Sequence, residues 1–238
     1  MEETKTNIKD ELLKVYCNRI PDFQHIQDVC KREDISGAFL MSPNKNYTRQ
    51  PFPFLAIGQE TNGWEKFSEI VTEEECKDMM SAYEEFNVGE KYYSSPFWNI
   101  IRKIETTLGN EPYSCTWTNI SKYDQNHGSP DAEHEELFSI VDNLLIDELK
   151  IIKPKICIFF TGHNFDYRLK NIFNKIKFIE VDGFDINTLC LLKHPDLPIL
   201  TYRTYHPKYL RLKKIEESAI SFINELSKHK QVKCKETY

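Results

Sequence analysis

A histidine, a carboxylate and two side-chain amides follow short apolar runs, and together they could donate, accept and move protons. Glu60 and Asn62 come just after one apolar run. Asn119 lies near the end of a second run, residues 115–120, in which apolar side chains alternate with threonines, and His206 comes after a third, the short run at 199–202. An imidazole and a carboxylate suit acid–base chemistry, while an amide offers one acceptor and two donors to a ligand. These groups form one site only if the runs before them end in the same place.

The apolar runs have the length and composition of buried strands. Residues 54–57 and 156–160 are continuously apolar, which is typical of parallel strands that are covered on both faces. Further strand candidates lie at 115–120, 177–182, 189–192 and 199–202. Helical patterns alternate with these runs, so the sequence predicts one α/β domain with a mostly parallel sheet. Ligands bind outside the carboxyl ends of such strands, where the polar groups would meet.

Capping signals and periodicity predict where several helices begin. Residues 72–75 form a capping box, which predicts a helix of about twelve residues. Ser129, with a proline behind it, predicts a second helix start. A last helix beginning near Lys208 would turn Leu212 towards the core at helical spacing.

The chain has no repeat, low-complexity block or linker that would divide it. We therefore expect a single domain over residues 1–238. Residues 1–50 contain two short helical patterns and would form a helical N-terminal extension. Residues 229–238 are polar and would form a frayed tail.

The net charge restricts the kinds of partner that the sequence predicts. The formal charge is −6, whereas a protein that grips duplex phosphates usually carries an excess of Lys and Arg. Contact with nucleic acid would therefore need a local basic patch, and Lys208, Arg211, Lys213 and Lys214 form the best one. No run of eighteen apolar residues and no apolar N-terminal signal occurs, so we expect no membrane partner. The scattered cysteines favour a reduced, cytoplasmic setting, and we expect a monomer.

Cysteine and histidine spacing gives no support for a bound metal. The seven cysteines are scattered, their number is odd, and no two form a CxxC pair. This argues against a disulfide framework and against a zinc or iron–sulfur site. His134 and Glu135 begin like a zinc-binding helix, but no second histidine follows at the required spacing. We expect neither metal nor cofactor.

Five short segments, each a turn or lying at a strand boundary, occur in a fixed order. They are LAIGQE at 55–60, SPF at 95–97, TNISK at 118–122, IKPKI at 152–156 and TYHP at 204–207. In this order and spacing they resemble the motifs of the uracil-DNA glycosylase superfamily, and most closely those of its family 4 branch. The resemblance covers about residues 54–215. No single segment is specific, so the resemblance depends on order and spacing together.

The resemblance implies a fold and an activity. The fold is a three-layer α/β/α sandwich around a central, mostly parallel sheet of four or five strands. The activity is that of a metal-independent DNA glycosylase, which hydrolyses the N-glycosidic bond of uracil or a related modified base. The partner would be DNA that contains such a base, and the base would be flipped out of the stack.

The resemblance also implies catalytic roles. Glu60 would supply a carboxylate that orients the attacking water, with Asn62 as a neutral alternative. His206 would donate a hydrogen bond to the oxygen of the departing base. A structural use stays open for Glu60, which could cap the helix after its loop.

Base-binding roles would belong to Gln59, Phe97 and Asn119. The amide of Asn119 could read a pyrimidine edge that has an adjacent N–H and carbonyl, and Phe97 would stack on the flipped base. Asn119 could instead satisfy backbone groups at its strand end, and Phe97 could be a core residue.

DNA-binding roles would belong to the residues that follow the histidine. Lys208 and Arg211 would contact phosphates, and Tyr209 and Leu210 would fill the gap that the flipped base leaves, as apolar wedges do. Solvated positions at a helix start would show the same charge pattern.

Two departures from the family 4 pattern matter. Tyr123 stands where one of the iron–sulfur cysteines would be, so we expect no cluster. Residues 58–63 lack the usual proline turn, which leaves open both the group that positions water and the target base.

Two other functions remain open on the same fold. A non-catalytic protein could bind nucleic acid or a protein partner, and the acidic balance and altered first segment favour it. An N-glycosidase of free nucleosides or nucleotides would need no basic surface. Activity on DNA should fall steeply with salt, whereas activity on a neutral nucleoside should not.

Overall fold

A computed structural model describes residues 7–30, 35–92 and 94–235 of the protein. The strands are β1 (Phe54–Gly58), β2 (Thr116–Asn119), β3 (Ile156–Phe159), β4 (Lys177–Ile179), β5 (Leu189–Lys193) and β6 (Leu200–Thr204). The α-helices are α1 (Ile8–Cys17), α2 (Ile20–Cys30), α3 (Glu73–Phe86), α4 (Pro96–Leu108), α5 (Ala132–Phe138), α6 (Leu144–Ile152), α7 (Asp166–Ile172), α8 (Pro207–Leu212) and α9 (Glu216–Lys235). Short 3-10 helices lie at Tyr47–Arg49, Asn87–Tyr92, Ser139–Val141 and His163–Phe165.

The described strands form one six-stranded sheet in the order β2-β1-β3-β6-β5-β4. The first four are parallel to one another, and β5 runs antiparallel to both of its neighbours. The prediction of an α/β fold with a mostly parallel sheet is confirmed. The predicted number of four or five strands is wrong, because β4 and β5 both join the sheet as an antiparallel pair beyond β6.

Strand register places the predicted site residues along one edge. Gly58, at the end of β1, lies beside Asn119 at the end of β2. On the other side of β1, Phe159 pairs with Ile57 and with Arg203 of β6. Four strands therefore end at one edge of the sheet. Because β5 runs the opposite way, the β4–β5 connection lies at this edge too.

Helices pack on both faces of the sheet. Successive residues of a strand point to opposite faces. On β2, the hydroxyl of Thr118 donates to Glu148 of α6, 3.1 Å away. The preceding residue, Trp117, points to the other face and packs edge-on against Trp98 of α4, with 5.0 Å between ring centroids. This arrangement is compatible with three layers.

The two N-terminal helices are part of the core. Leu12 and Tyr16 of α1 and Phe23 and Ile26 of α2 are all 0% exposed, and α1 contacts α3 and α6. These are the two short helices predicted within residues 1–50, and they pack into the same apolar cluster as the strands. Residues 1–6 of that prediction lie outside the described ranges.

Helix starts follow the local signals only in part. Thr72 caps α3 as predicted, and its side chain accepts a hydrogen bond from the backbone N–H of Glu75. The predicted start at Ser129 is wrong, because α5 begins after Asp131, whose side chain accepts from the N–H of His134. The Ser129 hydroxyl donates to Glu60 instead, at 2.8 Å. The Ser129 hydroxyl therefore makes a tertiary hydrogen bond instead of capping a helix.

The predicted last helix is two helices. Lys214 has a left-handed φ of 57° between α8 and α9, which ends one helix and turns the next. The break changes which side chains face inwards: Leu210 is 0% exposed, whereas Leu212 is 71% exposed. Within the predicted frayed tail, α9 continues to Lys235. Residues 236–238 lie outside the described ranges. Across those ranges, no helix is long and apolar enough to cross a membrane.

Candidate active site

The end of β1 has room for no side chain. A Cβ at Gly58 would overlap Oδ1 of Asn119 and would lie 3.9 Å from Cε2 of Phe97. Glycine is therefore required here for close approach rather than for a special backbone angle. Its absence of a side chain lets the amide of Asn119 and the ring of Phe97 lie against the strand end.

Asn119 has the features of a ligand-binding amide. The residue is 1% exposed, and no described atom accepts a hydrogen bond from its Nδ2. Buried polar groups are almost always hydrogen-bonded, so an unpaired buried amide in a native structure requires an explanation. A bound acceptor at the strand edge would supply the missing partner.

Phe97 and His206 face each other beside this amide. Their ring centroids are 6.0 Å apart, with planes inclined by 21°. Phe160, just after β3, packs edge-on against Phe97 at 5.7 Å. The structure thus brings Phe97, Asn119 and His206 together around the end of β1. Phe97 is half-buried, so its ring is anchored in the core and still partly open.

The local structure of His206 fixes its protonation. The residue caps α8, and its Nδ1 accepts a hydrogen bond from the backbone N–H of Lys208 at 3.3 Å. A neutral ring that accepts at Nδ1 carries its proton at Nε2. Burial lowers the pKa of His206 below its ordinary value, and the charge of Lys208 lowers it further. The ring is therefore a neutral hydrogen-bond donor at Nε2.

Glu60 follows β1 at the same edge of the sheet, but its carboxylate points to the loop that contains Ser129. Its Oε1 accepts from the Ser129 hydroxyl, and its Oε2 is buried with no described partner. Burial raises the pKa of Glu60, which the Ser129 hydrogen bond and the charge of Arg168 oppose in part. Its observed hydrogen bond is to Ser129 rather than to the Phe97, Asn119 and His206 group.

The remaining predicted residues of the first loop have separate positions. Gln59 donates through Nε2 to the carbonyl of Thr161 at 2.8 Å, which ties the exit of β1 to that of β3. Asn62 is exposed. The loop around it is held by Asp124, which accepts from the hydroxyl of Thr61 and from the N–H groups of Gly63 and Trp64. The loop is thus fixed by hydrogen bonds in place of a proline turn.

The predicted DNA-binding residues of α8 divide into exposed and buried ones. Lys208, Tyr209 and Arg211 are exposed, and Nε of Arg211 pairs with Glu216 at 2.7 Å. The prediction for Leu210 is corrected, since a fully buried side chain cannot enter a duplex. The exposed apolar residue of this helix is Leu212.

A buried ion pair behind Asn119 was not predicted from the sequence as such. Both carboxylate oxygens of Glu148 lie 2.7 Å from Nζ of Lys122, and both side chains are 0% exposed. Thr118 and Tyr16 also bond to this carboxylate. The signal for it was present, because Glu148 stands on the apolar face of α6 among leucines. Burial lowers the pKa of Lys122, while the carboxylate opposes that shift.

Comparison with known proteins gives no assignment: neither a scan of protein-family models nor a search of curated proteins found a match. Within the described ranges, no group of three or more His, Cys, Asp or Glu side chains is placed to hold a metal ion.

Proposed function

We propose that the protein is a DNA glycosylase of the uracil-DNA glycosylase type, which hydrolyses the N-glycosidic bond of uracil or a related modified base. The observation that carries the proposal is the grouping of an unpaired buried amide, an aromatic ring and a neutral imidazole donor around the end of β1. Asn119, Phe97 and His206 provide these groups. Each matches a different need of a flipped base.

The chemistry follows from the charges that develop. As the C1′–N bond breaks, the sugar becomes cationic and the electron pair of the bond stays on the base. His206 would stabilise that charge by donating from Nε2 to a base oxygen. Asn119 would read the edge of the base, and Phe97 would stack on its face. The oxygen of the water then bonds to C1′, and one proton of the water is transferred to the departing base.

Glu60 would complete the reaction as the group that orients water and stabilises the cationic sugar. Its unpaired Oε2 is the atom available for that purpose. The carboxylate must be ionised to act, so its raised pKa sets the lower limit of the active pH range.

The test is excision across a panel of substrates. Oligonucleotides carrying uracil, hypoxanthine, hydroxymethyluracil or a hypermodified base are incubated with the protein, and abasic sites are cleaved with alkali. We expect strand cleavage with at least one of the pyrimidines. Intact strands throughout the panel would refute the proposal.

The pH profile of the rate should show the ionisation of Glu60. The rate rises with pH as the carboxyl loses its proton, and we expect that rise above pH 4.5, the ordinary value, because burial raises the pKa of Glu60. Glu60→Gln should abolish the rise and lower the plateau. A rise that is unchanged in Glu60→Gln would assign it to another group.

Two leucines of α8 should separate DNA insertion from stability. Leu212→Ala should weaken excision from duplex DNA and leave the free energy of unfolding nearly unchanged, since Leu212 is 71% exposed. Leu210→Ala should lower the free energy of unfolding by about 2 kcal/mol or more, because it leaves a cavity. Urea denaturation and duplex excision, measured on both variants, check this. Equal unfolding free energies for the two variants would contradict it.

A non-catalytic nucleic-acid-binding protein is the second candidate. The hydrogen bond from Ser129 to Glu60 favours it, because that carboxylate then has a structural use. This candidate predicts binding that survives Glu60→Gln and yields no abasic product.

A further inference from the structure

A cavity lies at the same edge of the sheet, on the other side of the β6 exit from His206. It has a volume of about 510 Å³, which is within the range of about 300–1,000 Å³ for small-molecule sites. Three elements form it: the β4–β5 connection, the start of α8 and the turn into α9. We call it the β6 groove. Its lining includes Phe184, Tyr205, Tyr209 and Lys213.

The groove and the candidate active site share one short segment of chain. His206 turns to Phe97, whereas the preceding residue, Tyr205, turns to Tyr209, with 4.5 Å between ring centroids. Tyr205 also packs edge-on against His163 at 5.7 Å. A strand of nucleic acid whose flipped base met Phe97 and His206 would therefore bring its neighbouring nucleotide close to the groove.

The walls of the groove offer stacking surfaces on a firm base. Phe184 packs edge-on against Phe222, with 5.6 Å between centroids, and Phe222 packs against the buried Tyr202. Tyr209 is 39% exposed, so part of its ring is open although it rests on Tyr205. Aromatic faces of this kind bind bases without regard to sequence.

Lys213 offers a cation at the groove that could hold a phosphate. Its Nζ lies 5.3 Å from the centroid of the Tyr209 ring, and the residue is exposed. Asp185 also lines the groove, and its carboxylate accepts the backbone N–H of Asn187 in its own loop at 2.8 Å. A cation beside an open aromatic ring is the combination that single-stranded nucleic acids bind.

We propose that the β6 groove binds the single-stranded nucleotide next to the flipped base, with its base on Tyr209 and its phosphate at Lys213. This inference rests on the proposed function, since it assigns that enzyme a single-stranded or locally melted DNA substrate. Stacking would supply affinity that the net negative charge does not. The groove therefore explains how an acidic protein could bind DNA.

The test measures binding to a strand without any excisable base. A fluorescent oligomer of about eight thymidines, which is within the known range of site sizes, is titrated by anisotropy. Tyr209→Ala should weaken binding by about five-fold or more, as loss of one stacked base does. Tyr209→Phe keeps the ring and should bind like the wild type.

The salt dependence tests the phosphate contact. Lys213→Gln should reduce the slope of log affinity against log salt by about 0.7, the value for one contact to a single strand. Lys177→Gln is the matched control, because Lys177 is exposed at the start of β4, on the opposite edge of the sheet. Its slope should equal that of the wild type.

The outcomes separate this inference from the proposed function. Wild-type affinity in Tyr209→Ala, or no binding of the oligomer by the wild type, would overturn the groove assignment even if excision occurs. Groove-dependent binding without any excision would overturn the glycosylase and leave the groove as a single-strand site. Groove-dependent binding together with excision supports both.

Discussion

His206→Ala should lower the rate of base excision by about 10²–10³-fold, the usual effect of removing one donor to a developing anion. The reason is the fixed position of its proton. Nδ1 accepts the N–H of Lys208, so the proton of the neutral ring lies on Nε2, and burial lowers the pKa of His206, which favours that neutral form. Single-turnover excision measures the effect directly, without a contribution from product release.

The controls distinguish catalysis from capping. His206 caps α8, and loss of a cap costs about 1 kcal/mol of stability. His206→Asn should restore the cap, since asparagine is a preferred capping residue, but should not restore the rate. His25→Ala, an exposed histidine of α2, should match the wild type. A rate within about three-fold of wild type in His206→Ala would remove this residue from the chemistry, far short of the loss that a donor produces.

Lys122→Met should lower the free energy of unfolding by about 3–5 kcal/mol, because Glu148 would be left buried without its counter-charge. Thr118 and Tyr16 alone would then bond to the carboxylate. Thermal or urea unfolding of the purified variant measures the loss. The matched control is Lys77→Met, whose ion pairs with Glu73 and Glu74 are exposed, and it should change the free energy by under about 1 kcal/mol.

A double variant tests the physical cause. Lys122→Met with Glu148→Met removes both charges and keeps similar volumes, so it should be more stable than Lys122→Met alone. Equal stability of the single and double variants would mean that the carboxylate is not the source of the loss. Because Lys122 and Thr118 lie on either side of Asn119 in the chain, the single variant should also lose excision activity.

Local sequence signals predicted an element correctly where the segment was compatible with one structure. The continuously apolar run 54–57 can be buried only inside a covered sheet, and it forms β1. Thr72 and Glu75 satisfy the first turn of α3 within four residues of chain, and that prediction is also confirmed.

Predictions of helix bounds were wrong where the sequence pattern allowed two alternatives. A distant contact decided one case, and a left-handed backbone residue decided the other. Ser129 and Asp131 were both able to cap α5, and Glu60, far away in the chain, bonds to the first. Leu210 and Leu212 fit alternative faces of one long helix. The left-handed Lys214 ends α8, and Leu210 rather than Leu212 is buried. Periodicity alone contains no information about such a break.

The site was predictable as a set of strand ends, though not as a set of contacts. Asn119 ends one predicted strand and His206 follows another, so their common edge follows from the parallel sheet. The direction of the Glu60 carboxylate depends on the loop at Ser129, which the runs do not specify. The β6 groove depends on the antiparallel pair β4–β5, and the chain order of the strands does not predict that pairing.

Release of the free base is the most direct measurement of the central claim. A uracil-containing single strand, and its counterparts with other modified pyrimidines, are incubated with wild-type protein and with His206→Ala, and both products are quantified by mass spectrometry. We expect free base and abasic strand in equal amounts from at least one substrate with the wild type, and a strongly reduced yield with His206→Ala. Intact substrate with the wild type, or equal yields from the two proteins, would contradict it.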